Sequence, residues 1–120
     1  MVDKINDIQP DLLFPFLNEM IEQVQIEKST SKKRHFLKLI SSNGLTKQQQ
    51  GFLFDFCIKT LTSEKEPVAV RVHAMQILHN IAEKEIELIP EIVLVIENEL
   101  ENHSTAGIIS RGEKLIANLR

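Results

Sequence analysis

Histidine and cysteine are the side chains of this chain best suited to chemistry, and their spacing forms no catalytic or metal-binding motif. Of the four histidines, His79 is followed four residues later by Glu83. A zinc-protease helix would carry a second histidine at that position, and none stands there. His35, His73 and His103 are too scattered along the sequence to complete a ligand set. We therefore expect neither a metal ion nor a cofactor.

The single cysteine, Cys57, permits no internal disulfide. Its apolar neighbours, among them Phe54 and Ile58, predict a buried thiol with no activated, low-pKa environment. The sequence has no glycine-rich phosphate loop and no serine nucleophile motif, and its four glycines are dispersed. These observations predict a protein that is not an enzyme.

The distribution of charge limits the classes of partner. The chain has 14 lysines and arginines against 17 acidic residues, a formal net charge of -3, and a pI of about 5.8. Nonspecific nucleic-acid binding depends on clustered cations, so this balance disfavours it. One basic run, Lys-Lys-Arg-His at residues 32–35, is interpreted as the solvated start of a helix. A contact with phosphate or with an acidic partner is the alternative.

Length and composition indicate one globular domain over residues 1–120. Hydrophobic residues make up 42% of the chain and charged residues 26%, which is ordinary for a folded protein in water. The longest wholly apolar run, residues 92–96, is too short to cross a bilayer. No apolar signal segment follows Met1. We predict a cytoplasmic domain without a membrane partner.

Residues 66–102 carry two consecutive helical patterns, and the rest of the chain resembles weaker copies of them. In the first pattern, apolar residues from Val68 to Ala82 recur at helical spacing. In the second, Ile92, Val93 and Ile96 form the apolar stripe, and Pro90 stands in the opening turn, where a missing N–H costs no hydrogen bond. Two amphipathic helices this close in sequence are predicted to pack antiparallel.

Capping residues separate the other helical patterns. The Ser-Thr-Ser cluster at residues 29–31 offers an N-cap. Thr46 and Gln49 have the spacing of a capping box. Ser104 or Thr105 is predicted to cap the last helix. Helices are thus expected to begin after a cap within residues 29–31, after Thr46, and after Ser104 or Thr105.

Two further signals concern helix ends. Asn43 and Gly44 tolerate the left-handed conformation that often follows a helix, so they are predicted to end the second helix in that way. The first helix is predicted over residues 10–25, with Pro15 either in its first turn or at a kink.

Self-comparison reveals an internal repeat. A shift of 38 residues lays the segment 35–40 on 73–78, and a second such shift lays 73–78 on 111–116. The helices that follow align better at a shift of 39 residues, where Leu53 and Cys57 fall on Ile92 and Ile96. Helical units that recur at this interval are typical of an α-solenoid.

The segment Glu66-Pro67-Val68, followed by Arg71 and later by Leu88-Ile89-Pro90, resembles a HEAT repeat. This resemblance implies an all-α fold: a short right-handed α-solenoid of about three helical hairpins, with incomplete repeats at both ends. It also implies that Arg71 reaches an acidic residue of a neighbouring turn. Related armadillo-like repeats remain an alternative.

In HEAT solenoids the second helix of each hairpin lines the concave side, so the resemblance also predicts a partner-binding face. The face carries acidic residues, an exposed leucine that could anchor a partner, and polar neighbours; the alternative is that it is only a solvated face. The predicted partner is a protein or peptide with basic character. The predicted residues are Asn18, Glu22, Asp55, Lys59, Leu94, Asn98 and Glu101.

Self-association is the other predicted contact. A terminal solenoid helix has a neighbour on one side only, so Leu115, Ile116 and Leu119 are expected to risk exposure and to be covered by a second copy.

Taken together, the repeat and the absence of catalytic motifs favour a noncatalytic scaffold module. A HEAT-type nucleic-acid-associated protein and a helical accessory domain of an enzyme are the alternatives, although the signature loop of the helical fumarase-like lyases is missing.

Overall fold

The computed structural model describes residues 10–102 and 105–119, and this part of the chain is all-α with no strand. A short 3₁₀ turn, Ile86–Leu88, precedes the fifth helix. The predicted fold class is thus confirmed. The six helices are α1 Pro10–Ile26, α2 Thr30–Ser41, α3 Lys47–Thr62, α4 Val68–Lys84, α5 Ile89–Asn102 and α6 Ala106–Leu119.

The helix starts are set by the capping residues that the sequence predicts. Ser29 caps α2 by accepting a hydrogen bond from the Lys32 amide. Thr46 and Gln49 form a reciprocal capping box at the start of α3. Thr105 accepts from the Ile108 amide at the start of α6, and Ser104, the other predicted cap, lies outside the described residues. Each cap supplies an acceptor to an amide that has no partner within the helix.

The predicted left-handed end of α2 is wrong. Among the described residues no backbone φ is positive, and the C-cap residue Ser42 is right-handed helical, with φ of -89°. The amides of Ser42 and Asn43 donate to the carbonyls of Leu39 and Ile40. Because the last turn tightens into these i to i−3 bonds, the orphan carbonyls are satisfied without a left-handed residue.

The helices form two layers. In one layer α2 packs against α4 and α4 against α6; in the other α1 packs against α3 and α3 against α5. We call them the α2/α4/α6 layer and the α1/α3/α5 layer. Contacts between α1 and α2, α3 and α4, and α5 and α6 join the layers, and α4 also touches α5. Alternate helices thus share a layer, which is the solenoid arrangement that the repeat predicts.

Helix α4 lies at the centre, because it packs against α2, α3, α5 and α6. Its burial is wider than the single stripe that the sequence predicts. Ala74 is fully buried, as are residues on either side of it in the helix, whereas Val68 at the start of the stripe is exposed. A helix with neighbours on several sides must be apolar around most of its circumference. The fully buried side chains of α4 include Met75, Ile77 and Leu78.

The expected exposure of the terminal helix is also wrong. Leu115 and Ile116 are buried and Leu119 is half-buried within this one chain. Helix α6 packs against both α4 and α5, so its apolar stripe is covered without a second copy. Gly112 lets α6 approach α5 closely, since an added Cβ there would lie 3.0 Å from Leu100 Cδ2. Self-association through these residues has no support in the fold.

A buried arginine connects two successive repeats. The Arg71 Nη2 atom lies 3.0 Å from Glu99 Oε1, and both side chains are almost fully buried. Arg71 Nε also donates to the carbonyl of Leu61, near the end of α3, at 2.9 Å. The predicted acidic partner of Arg71 therefore exists, but it lies on α5, and the contact with the preceding repeat is made to a backbone carbonyl. One guanidinium satisfies both acceptors because its donors point in several directions.

Removing the carboxylate of Glu99 should take away the ion pair that it makes with the buried guanidinium of Arg71. We expect Glu99→Ala to lower the free energy of unfolding by about 3–5 kcal/mol, measured by urea denaturation. The control Glu101→Ala, exposed on the same helix, should change it by no more than about 0.5 kcal/mol. Arg71→Met combined with Glu99→Leu should recover much of the loss. Equal effects of Glu99→Ala and Glu101→Ala would show that the pair does not stabilise the fold.

Two glycines should respond oppositely to alanine. An added Cβ at Gly51 meets no atom within 4 Å, so Gly51→Ala should stabilise α3 by about 1 kcal/mol through helix propensity alone. At Gly112 the same gain is opposed by the contacts with Leu100 and with Ile96 Cγ2, at 3.3 Å. Overpacking costs about 1–3 kcal/mol, so Gly112→Ala should be the less stable variant in the same denaturation experiment. Equal stabilisation by both would refute the close packing of α6.

Candidate partner-binding face

All seven residues predicted for partner binding are exposed and lie on the α1/α3/α5 layer. Asn18 and Glu22 stand on α1, Asp55 and Lys59 on α3, and the other three on α5. The structure brings the first four together along the junction of α1 and α3. The α5 residues Leu94, Asn98 and Glu101 continue the layer beyond α3 and line neither of the grooves described next.

Two adjoining grooves follow the junction of α1 and α3. The first, of about 390 Å³, is lined by Asn18 and Glu22 together with Gln25 and Gln48. The second, of about 630 Å³, contains Asp55 and Lys59. Gln25 and Phe52 line both grooves. A continuous concave surface with polar walls thus runs across the two helices.

Phe52 is the main feature that the sequence prediction missed. Its side chain is 57% exposed, although it lies where the two grooves meet. The sequence contains the signal: Phe52 precedes Asp55 by three residues and Lys59 by seven, so all three lie on one face of α3. Leu53 begins the core stripe one residue later, so Phe52 cannot belong to that stripe. A large exposed aromatic side chain bordered by polar groups is a typical anchor for a partner.

Leu94 provides a second exposed apolar side chain on the same layer. It is 66% exposed on α5, whose neighbouring residues Ile92 and Val93 are buried in the core. At the repeat shift of 39 residues it occupies the position of Asp55 on α3. The layer therefore presents apolar side chains on two successive helices, separated by polar and acidic ones.

The electrostatic character of this face is acidic. Glu19 and Glu22 on α1, Asp55 on α3 and Glu101 on α5 are all exposed, and Lys59 is the cation among the seven predicted residues. The polar side chains are partly organised: Gln49 Nε2 donates to Asn18 Oδ1 at 2.9 Å, which ties α3 to α1. A surface of this sign attracts basic partners and repels nucleic acid.

Basic residues gather on the opposite, α2/α4/α6 layer. Arg34 and Lys38 are exposed on α2, and Arg111 on α6 donates to Gln76 Oε1 on α4 at 3.1 Å. Half-buried His73 lies among these three cations. Its pKa is lowered, first because burial disfavours the charged ring and then because the neighbouring cations repel it.

One side chain of the basic run at residues 32–35 is held in an ion pair within the fold. Lys33 Nζ forms a 2.7 Å ion pair with Glu66 Oε1, and both side chains are largely buried. This pair connects the start of α2 to the turn that precedes α4. Lys33 therefore has a structural role. This favours the interpretation of the run as a helix start over its interpretation as a phosphate-binding site.

The residues considered for chemistry have structural surroundings. His79 Nε2 lies 2.7 Å from Asn118 Oδ1, and its Nδ1 is 3.4 Å from Glu83 Oε1 without forming a hydrogen bond. Cys57 is fully buried, and burial raises the pKa of its thiol far above the usual range. Within residues 10–102 and 105–119, no three potential ligands are grouped so that they could hold a metal ion.

A family model described as a HEAT repeat domain matches residues 1–118. The chain belongs to the HEAT-repeat family. The layered helices, the 38- to 39-residue period and the buried Arg71 agree with that membership. The searches of curated proteins and of solved structures gave no match. Across the described helices of this HEAT-repeat protein, none combines the length and apolarity needed to cross a membrane.

The lowered pKa of His73 should make stability depend on pH. The unfolded chain takes up a proton near the ordinary value of about 6.5, whereas the folded ring resists it until a lower pH. Above the ordinary pKa of about 6.5 the ring is neutral in both states, so this contribution to stability is present in full. It is lost as the pH falls through the folded pKa.

We expect an NMR titration of the His73 ring to give a pKa below the ordinary value. Arg111→Gln should raise that pKa, because it removes a cation that repels the protonated ring. Lys28→Gln, which removes an exposed lysine from the turn between α1 and α2, is the control and should leave it unchanged. An identical titration in wild type and Arg111→Gln would show that the cations do not act on the ring.

Proposed function

We propose that residues 1–120 form one HEAT-repeat domain that acts as a noncatalytic scaffold, and that it binds a basic protein or peptide segment on the α1/α3/α5 layer. The observation that carries this proposal is Phe52, an exposed aromatic side chain where two polar grooves meet. We also retain a cytoplasmic location as a prediction from the sequence.

The chemistry of the face defines the partner. Covering Phe52 would remove a large apolar surface from water at the centre of the contact, where such anchors contribute most. Glu22 and Asp55, one in each groove, would pair with cations of the partner near the rim. Rim charges of this kind act mainly on the rate of association and on its salt dependence. The partner should therefore combine one apolar or aromatic residue with flanking lysine or arginine.

The grooves favour an extended or helical segment of another chain over a small molecule. Ligand sites for small molecules are mostly apolar and enclosed. These two grooves are open and continuous along α1 and α3, and their walls carry Asn18, Gln25 and Gln48. Amide side chains at these positions could bond the backbone of a bound segment.

A peptide selection tests this proposal directly. A random peptide library displayed on phage is selected against wild-type protein, and each recovered peptide is then measured by fluorescence polarisation. We expect the selected peptides to converge on sequences with an apolar anchor and basic neighbours. Phe52→Ala should weaken them at least tenfold, whereas Ile109→Ala, an exposed apolar residue on α6, should leave affinity within twofold.

Charge reversal provides a second readout with the same peptides. Asp55→Lys combined with Glu101→Lys should weaken binding and flatten its dependence on salt, while thermal stability changes little, as for most surface substitutions. The control reverses exposed Glu83 and Glu113 on α4 and α6, with the same change in net charge. Peptides without convergence, or affinities that respond equally to both pairs, would place the site elsewhere.

A further inference from the structure

A separate cavity of about 320 Å³ lies between the first half of α3 and the connection from α4 to α5. Half-buried Phe54 and Leu88, with buried Ile81, supply its apolar lining. Gly51 contributes a wall without a side chain, where even an added Cβ would meet nothing within 4 Å. The cavity is at the small end of ligand sites, a size suited to one side chain of a partner.

Three carboxylates surround the apolar lining. They are those of Asp55, Glu85 and Glu87, and Lys47 is the cation beside them. Asp55 and Glu87 are exposed, and Glu85 is half-buried. Among the described residues no ion pair neutralises any of the three. The cavity therefore combines an apolar interior with a net negative edge.

Gln50 contributes a buried amide to the wall that this cavity shares with a neighbouring one. Gln50 lines the cavity and is only 6% exposed. Its Nε2 donates to the carbonyl of Leu45 at 3.4 Å, but its Oε1 has no partner. The carbonyl can only accept, so it fixes which end of the amide is the nitrogen. The protein covers this oxygen, so it is not accessible from the cavity, and Gln50 shapes the wall without offering a ligand atom.

We propose that this cavity receives the guanidinium of an arginine side chain from the bound partner. The methylene stem would lie against Phe54 and Leu88, and the N–H groups would bond to the carboxylates of Asp55, Glu85 and Glu87. Arginine fits better than lysine because its planar head offers five donors in several directions and loses less hydration on burial. A neutral side chain of the same shape would leave the carboxylates without a charge partner.

This inference rests on the proposed function for the source of the arginine. Asp55 lines both this cavity and the second groove of the partner-binding face, so a segment lying over Phe52 could place a neighbouring residue here. The cavity would then define which cation the partner carries near its anchor. It is a specificity pocket beside the grooves, built from residues that the sequence prediction, apart from Asp55, did not include.

The test uses the whole chain and small amides as probes. Titration of ¹⁵N-labelled protein with L-argininamide should give saturable NMR shifts at Gln50, Phe54 and Leu88. L-lysinamide should bind at least fivefold more weakly, and L-citrullinamide, whose side chain is uncharged, should not saturate. Equal affinity for the arginine and lysine probes, or shifts spread evenly over all acidic residues, would overturn the proposal.

Variants identify the groups that bind. Glu85→Gln with Glu87→Gln should weaken L-argininamide at least fivefold. The matched control, Glu91→Gln with Glu113→Gln, removes the same charge from exposed sites on α5 and α6 and should change affinity less than twofold. Unchanged affinity in Glu85→Gln with Glu87→Gln would exclude these carboxylates as ligands.

The two proposals can fail separately. If selected peptides depend on Phe52 but contain no arginine, and L-argininamide does not bind, the arginine pocket is wrong while the partner-binding face stands. If L-argininamide binds as described but the library yields no peptides that depend on Phe52, the cavity stands and the proposed partner-binding face is wrong.

Discussion

The central position of α4 is the constraint on which the rest of this structure depends. Because α4 packs against four other helices, most of its circumference must be apolar, and its only strongly charged buried side chain, Arg71, has to find partners inside the protein. Arg71 finds Glu99 on α5 and the carbonyl of Leu61 on α3. A charge in this environment costs much desolvation, so its retention is consistent with a role in fixing how successive repeats are oriented.

That arrangement leaves each layer with one outer surface, and the two surfaces differ in charge. The α2/α4/α6 layer carries Arg34, Lys38 and Arg111 around His73, whereas the α1/α3/α5 layer carries Glu22, Asp55 and Glu101. A net charge of -3 conceals this separation, because the two faces partly cancel. For the basic partner proposed above, this separation would favour one face over the other, because opposite charges attract and like charges repel.

Local signals in the sequence predicted much of the fold. Ser29 and the pair Thr46 and Gln49 mark helix starts through bonds that form within three residues, so tertiary context cannot easily override them. The repeat period identified alternate helices as equivalent, and the structure places them in common layers. By contrast, several hydrogen-bond patterns can satisfy the last carbonyls of α2, and the local sequence does not decide which one forms. Asn43 and Gly44 permit a left-handed turn without requiring one.

Features that arise between helices were harder to predict. The burial of Leu115 and Ile116 depends on α6 reaching both α4 and α5, which no stripe on α6 alone reveals. In the sequence, Glu99 is one of several acidic residues on its helix, and only the fold shows that Arg71 lies beside it. Phe52 was predictable from its spacing to Asp55 and Lys59, yet hydrophobic residues near a core stripe are readily assigned to the core. The unpaired oxygen of Gln50 is visible only in three dimensions.

The central claim, that the α1/α3/α5 layer is the binding face, is tested most directly by site-specific photo-crosslinking. A benzophenone amino acid is placed at position 52 in one sample and at position 109 of the opposite layer in another, and each is irradiated with a selected peptide. The account predicts a crosslinked product from position 52, competed away by unlabelled peptide, and none from position 109. Crosslinking from position 109 with none from position 52 would contradict it.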